Sequence, residues 1–197
     1  MAKDLANKMK KMLNHIISPN QSAFLPGRHI TDNIIVAFEA LHSMNTQLKG
    51  RQGYMALRLD MSKAYDRVKL GFLEMIMRRL GFHNRWVELI MICVHTVSYL
   101  VLVNGIPHAD IEPTRGIRQG DPLSSYLFIL SVEGLSTLLN KVEREGKITG
   151  LPIAKGGTKI NHLFFVDDNL LFCRANFMEW GTMQTILAIY EKCQGKN

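Results

Sequence analysis

No apolar run in this chain approaches the ~20 residues that a membrane-spanning helix needs, and the lysine-rich start (Lys3, Lys8, Lys10, Lys11) is not followed by the apolar segment of a secretory signal. Neither a membrane span nor a leader is expected, and the chain reads as soluble and intracellular. Cysteine is scarce. Cys93, Cys173 and Cys193 are odd in number, far apart and without a C-x-x-C spacing, which argues against a disulfide framework or a thiolate zinc site and fits a reducing compartment. The 7 histidines form no close metal-ligand pair, which argues against zinc hydrolysis. No internal repeat and no low-complexity stretch interrupts the chain. Acidic residues are in the minority, 17 against 24 Lys plus Arg, and the net charge of +7 favours a polyanionic partner. What is plentiful is apolar surface: at 47% hydrophobic, 197 residues can bury the core of one domain.

Taken in order, Leu5, Met9, Met12, Leu13 and Ile16 recur at helical spacing with the lysines largely opposite, predicting a basic amphipathic helix. The loop Asn20-Gln21-Ser22 and Leu25-Pro26-Gly27-Arg28 follows. Thr31 then caps a second helix with the stripe Ile34, Ile35, Phe38 and Leu41. After a polar break at 47–53, Tyr54 to Leu59 predicts a buried strand that delivers Asp60 at its end, with Tyr54, Ala56, Arg58 and Asp60 on one face. Two helices are expected next. The first has the stripe Phe72, Leu73, Ile76, Met77 and Leu80 and ends at Gly81; the second is capped by Asn84 and runs through Trp86, Ile90 and Val94. Tyr99–Val103 and Ile106–Ile111 flank Asn104-Gly105, a strong hairpin signal, and Pro107 marks the return as an edge strand.

A glycine-punctuated basic loop, Thr114 to Gly120, runs into Asp121 as expected N-cap and Pro122 as first residue of a long helix. Backbone amides there, with Arg115 and Arg118, can receive a phosphate or position a nucleotide, although a well-capped helix start accounts for the same residues. No Gly-Lys-Ser/Thr follows to make a P-loop. After Gly156-Gly157, a strand from Thr158 to Phe165 leads into Asp167-Asp168-Asn169, turn chemistry between two apolar runs, and Leu170–Cys173 returns. Asn176 opens a last helix with the stripe Met183, Ile186, Leu187 and Tyr190. This order predicts an α+β domain in which a small antiparallel sheet packs on helices.

Two adjacent carboxylates at a turn tip repel by roughly 4 kcal/mol at ~4 Å and an effective dielectric of ~20. They suit either a solvated turn or a cation site. Asp60 beside Asp167 and Asp168 brings three hard oxygen donors together, a set suited to magnesium and to phosphoryl or nucleotidyl transfer. His162, before the hairpin, reads as a polar residue at the start of a strand. Lys8, Lys10, Lys11 and Arg28 can grip phosphates or form a solvated helix face.

Three stretches together resemble the palm motifs of reverse transcriptases, in the version of LINE-type, non-long-terminal-repeat retrotransposons common in plant genomes. They are Leu57-Arg58-Leu59-Asp60-Met61-Ser62-Lys63-Ala64-Tyr65-Asp66-Arg67-Val68, Gly116-Ile117-Arg118-Gln119-Gly120-Asp121-Pro122-Leu123-Ser124, and Phe165-Val166-Asp167-Asp168. Ile17 to Arg28 is similar to their fingers segment. Departures are Val166, where this group usually has alanine; Asn169 and Ser125, in place of serine and proline; and Leu70, where tryptophan is common.

The resemblance implies an RNA-directed DNA polymerase: partial fingers over residues 1–53 and an incomplete palm over 54–197, the thumb and an endonuclease domain lying outside. It implies Asp60, Asp167 and Asp168 as catalytic residues, with the Met61 carbonyl assisting them around two magnesium ions, or manganese. Ala64, Tyr65, Gln119 and Gly120 would meet the nucleotide, with Tyr65 under its sugar. Arg28, Arg118, Lys8, Lys10 and Lys11 would meet the nucleic-acid backbone. Expected partners are an RNA template, a DNA primer and deoxynucleoside triphosphates, in the nucleus or a cytoplasmic ribonucleoprotein. The competing expectation is an inactive retrotransposon remnant that binds nucleic acid; a metal-dependent nuclease is disfavoured because no separate water-activating base is evident.

Overall fold

The computed structural model describes residues 2–46, 53–61, 63–111, 113, 115–153, 158–166 and 168–194. Asp167, Ser62, Thr114, most of the polar break at 47–53 and Gly156-Gly157 lie outside the described residues. The elements run α1 (Ala2–Ile16), α2 (Ile30–Thr46), β1 (Tyr54–Asp60), α3 (Ala64–Arg67), α4 (Leu70–Arg79), α5 (Asn84–His95), β2 (Tyr99–Val103) and β3 (Ile106–Ile111). There follow α6 (Ser124–Arg144), β4 (Leu151–Pro152), β5 (Lys159–Ile160), β6 (His162–Phe165), β7 (Asp168–Arg174) and α7 (Phe177–Gln194).

β1, β7 and β6 form one antiparallel sheet in that order. β1 is therefore an edge strand among the described residues, not the buried strand its composition suggests. Its alternation is nonetheless the expected one: Ala56, Arg58 and Asp60 are exposed, while Met55, Leu57 and Leu59 pack on the core. The expected strand from Thr158 to Phe165 is broken at Asn161. Its amide is drawn to Asn140 and Glu143 on α6, so β5 pairs with β4 and β6 with β7. The β2–β3 hairpin closes through Asn104 and Gly105, both at positive φ (52° and 77°), the requirement of a two-residue turn that follows strand twist.

The sheet is covered on both faces. Phe164, Leu171 and Cys173 face a large core built from α1, α4, α5, α6 and α7, in which Met9, Leu13, Leu73, Met77, Ile90, Leu130 and Leu135 are fully buried. Each such side chain contributes roughly 1.5–3 kcal/mol through burial. Leu163 and Phe172 face a second cluster with Ala37, Ala40, Leu151 and Ile160. Alternate residues of β6 and β7 thus serve different cores, which fixes their register.

α2 reverses the sequence expectation. The stripe Ile34, Ile35, Phe38 and Leu41 is exposed, Phe38 by 74%, and the buried face is Asn33, Ala37, Ala40 and Ser43. Small residues let the helix approach β6 closely, and the Asn33 amide donates to the carbonyls of Asn20 (2.9 Å) and Phe164 (3.2 Å). The helix also begins one residue before Thr31, the expected cap; the Asp32 carboxylate accepts the His29 amide instead. At α5, likewise, His83 rather than Asn84 is the capping residue, its ring nitrogen accepting from Arg85. Asn176 caps α7 as expected, its side chain accepting the Glu179 amide at 2.8 Å.

Candidate active site

β1 ends at Asp60, β7 begins at Asp168, and the antiparallel register makes these two residues direct partners. Such partners hold their Cβ atoms ~4.5–5.5 Å apart, and like charges so placed destabilise the ladder by up to ~1 kcal/mol. The backbone ladder therefore enforces an approach that the side chains alone would resist. Arg58, two residues before Asp60, donates to Asp168 Oδ1 from Nη2 (2.9 Å) and Nε (3.2 Å). This hydrogen bond, then the carboxylate charge, raises the guanidinium pKa above its ordinary value, with a smaller contribution from Asp60. Both partners are open to water, so the pair adds little stability and serves as local neutralisation.

Asp168 is not at the hairpin tip, as the turn chemistry suggested. It pairs with Phe165, and Asn169 is already a fully buried strand residue. Two residues make the connection. Val166 stands at φ +78°, costly for a β-branched side chain by on the order of 1–3 kcal/mol; Asp167 lies outside the described residues. Among the described residues no group of three His, Cys, Asp or Glu side chains forms a metal cluster, so the described acids of this site are Asp60 and Asp168. Met61, next after Asp60, is half-buried on the main core.

A cleft of about 700 Å³, which neither Asp60 nor Asp168 lines, has a lining that includes Lys10, Phe24, Tyr65, Gln119, Gly120 and Tyr126. Tyr65 follows Ala64 in α3, and its ring is backed by Phe128, stacked at 5.0 Å. The basic loop is fastened to α3: the Ile117 amide donates to the Tyr65 carbonyl (2.9 Å) and the Gly116 amide to that of Val68 (2.8 Å). A Cβ on Gly116, which has φ +90°, would stand 3.2 Å from the Asp66 carbonyl oxygen, so only glycine allows this approach. Asp121 caps the turn that leads into the helix, its carboxylate accepting the Leu123 amide at 2.8 Å and its carbonyl the Ser124 amide at 3.1 Å, and α6 starts at Ser124 instead of Pro122.

The predicted cations separate. Lys10 lines the cleft, whereas Lys8 and Lys11 border a different, apolar groove beside Phe82 and Trp86. Arg118 is exposed, its carbonyl accepting the Ser124 hydroxyl. Arg28 is turned inward. Four of its five N–H bonds go to the carbonyls of Asn14, Ile17, Ser18 and Gln21, so it clamps the end of α1 to the following loop. That loop is also joined to the hairpin: Gln21 bridges Phe164 in parallel, and the Phe164 amide donates to the Asn20 carbonyl at 2.9 Å.

Two buried titratable groups support the frame. His162 is fully buried against Phe164, with Asn20 and Asn161 at its ring nitrogens, and burial pushes its pKa down to about 3, keeping it neutral. Glu133 on α6 accepts the Ser18 amide at 3.1 Å, and burial pushes its carboxyl up to about 7 against the opposing effects of Ser18, Ser136 and Arg28. Sequence reasoning gave no role to Arg58, Phe24 or Glu133. Arg58 was visible only as a residue on the Asp60 face; nothing local marked the other two.

The family described as reverse transcriptase (RNA-dependent DNA polymerase) matches residues 1–196. An uncharacterised mitochondrial protein of Arabidopsis thaliana is 46% identical over 35% of this chain and 57% of its own length. The transposon TX1 149 kDa protein of Xenopus laevis is 31% identical over 87% of this chain and 12% of that protein. The Pol polyprotein of the type-2 retrotransposable element R2DM of Drosophila melanogaster is 29% identical over 85% of this chain and 15% of that protein. The chain thus matches only a small part of these transposon proteins. Telomerase from Candida tropicalis, solved with a fragment of telomeric RNA, superposes with a TM-score of 0.64 over 97% of this chain and 31% of that one, at 14% identity, a likeness of fold. With the match running over residues 1–196, the chain belongs to the reverse transcriptase family.

Proposed function

We propose that this chain carries the nucleotidyl-transfer centre of a retrotransposon RNA-directed DNA polymerase, with residues 1–53 serving as fingers and 54–197 as palm. The observation that carries the reading is the direct pairing of Asp60 with Asp168. Two exposed carboxylates held face to face form a hard-oxygen, negatively charged donor set, which fits divalent magnesium or manganese and not a soft metal. Asp60, Asp167 and Asp168, with the Met61 carbonyl, would hold two such ions. When bound there, they supply activation of a primer 3′-hydroxyl and neutralisation of triphosphate charge.

The chain's own residues do the positioning. Tyr65, braced by Phe128, offers a flat surface under the sugar of an incoming deoxynucleotide and leaves no room for a 2′-hydroxyl. Gln119 and Gly120, on the loop held to α3 through Gly116 and Ile117, line the same cleft, where backbone without bulky side chains accommodates a base pair. Lys10 supplies a cation for the phosphates, and Arg118 a second, both in a salt-dependent manner. Arg58 keeps Asp168 neutralised until a cation displaces it.

Primer extension on an RNA template tests this. The unmodified chain should extend a DNA primer in magnesium, and Asp60→Asn should abolish extension. RNA binding without any extension would leave nucleic-acid binding as the sole activity of this chain.

A further inference from the structure

We propose that Phe24 is a stacking platform for an unpaired nucleobase at the mouth of the cleft. This rests on reading the cleft as the nucleotide and template channel. Ala23 and Leu25 are buried (1% and 5% exposed), yet Phe24 between them is 48% exposed and lines the cleft. Its backbone has φ +57°, a left-handed conformation that favours Gly or Asn and penalises an aromatic residue.

The neighbouring chain over-determines that conformation. The Ala23 amide donates to the Gln21 side chain at 3.0 Å, Gln21 is 1% exposed and bridged to Phe164, and Arg28 grips the carbonyls of Ser18 and Gln21. A ring is thus displayed from a fixed loop, in a conformation that no core contact of its own accounts for. Strain held in place by its surroundings is a mark of a functional position.

The company Phe24 keeps in the cleft defines the ligand. Lys10 provides a cation, Gln119 an amide and Tyr126 a further aromatic side chain. An aromatic face beside an ammonium group is the combination that holds a base and its phosphate. The base can belong to the template strand or to the incoming nucleotide; the stacking chemistry is the same.

The test uses the full chain and an RNA–DNA template–primer. In one arm 2-aminopurine occupies the first unpaired template position; in the other, the duplex is unlabelled and 2-aminopurine deoxynucleoside triphosphate is added. At saturating protein the unmodified chain should quench one of the two probes, and the arm that responds names the source. Phe24→Ala should abolish the quench and weaken binding, measured by anisotropy of a distal label, about tenfold. Phe24→Trp should restore both. Phe24→Gly relieves the backbone strain, so it should melt no lower than the unmodified chain and still lose the quench, which a merely structural role would not produce. Undiminished quenching in Phe24→Ala, or no quenching in either arm by unmodified chain that binds the duplex, overturns the platform and spares the polymerase reading. No binding of the duplex at all overturns both.

Discussion

Asp168 is shared between two neighbours on β1: Asp60, its direct cross-strand partner, and Arg58, which bonds one of its oxygens. Removing the charge of Asp60 relieves the repulsion and leaves the Arg58 bond intact. Asp60→Asn should therefore raise the melting temperature in EDTA by roughly 0.4–4 °C, as expected for about 0.2–1 kcal/mol in a chain of this size. Magnesium should raise the melting temperature of the unmodified chain and not of the variant. A lower melting point for Asp60→Asn in EDTA would show that the pair is not repulsive.

A cation held at Asp168 as proposed would compete with Arg58 for the same carboxylate oxygen. Arg58→Ala should tighten manganese binding, read by calorimetry, while lowering stability in metal-free buffer only slightly, because the pair is exposed. Salt at ~1 M, where screening reaches ~3 Å, should erase that stability difference.

Gly116 combines φ +90° with a Cβ position 3.2 Å from the Asp66 carbonyl oxygen. Gly116→Ala should destabilise by about 1–3 kcal/mol in urea unfolding. It should also loosen the loop that carries Gln119 and Gly120, so nucleotide affinity should fall alongside stability.

The Glu133 carboxyl ordinarily titrates near 4.5 and is pushed up to about 7 by burial. The fold thus binds its proton more tightly than the unfolded chain does. The contribution of the neutral form is fully present below pH 4.5 and is lost as pH rises toward about 7. Glu133→Gln should flatten the stability profile between those limits, by about 3 kcal/mol at most. An unchanged slope would mean that the carboxylate is accommodated in charged form.

On α2, Phe38 is 74% exposed and Ala40 fully buried. Phe38→Ser should change stability by less than about 0.5 kcal/mol in urea unfolding, whereas Ala40→Leu should cost about 1–3 kcal/mol by overpacking.

That reversal marks the limit of pattern reading. α2 carries large apolar residues on one side and small ones on the other, and periodicity assigns the large ones inward. The actual packing is decided by an amide, Asn33, with partners 13 and 131 residues away, which no local window contains. The same distance problem hides Arg58 and Glu133, whose roles come from Asp168 and Ser18. Several strand ends and turns were legible where the chemistry is local, although the caps of α2 and α5 fall on close neighbours of Thr31 and Asn84. Asn104-Gly105, Gly81, Asn176 and the delivery of Asp60 at the end of β1 all follow from adjacent residues. α6 starts at Ser124 rather than Pro122 because the turn that Asp121 caps leads into the helix and precedes its first residue.

The bridge from Gln21 to Phe164 spans 143 positions, and the Asp60–Asp168 pair spans 108. Contacts of such separation form slowly, since the entropy of closing long loops is met before any pairing rewards it. During synthesis, the loop carrying Phe24 leaves the ribosome long before the strand that anchors it. Chain growth must pass β6 before the loop can settle and must reach β7 before the carboxylate pair can form. Assembly of the Asp60–Asp168 pair is thereby tied to synthesis of β7, and a nascent chain released before it would lack this ladder.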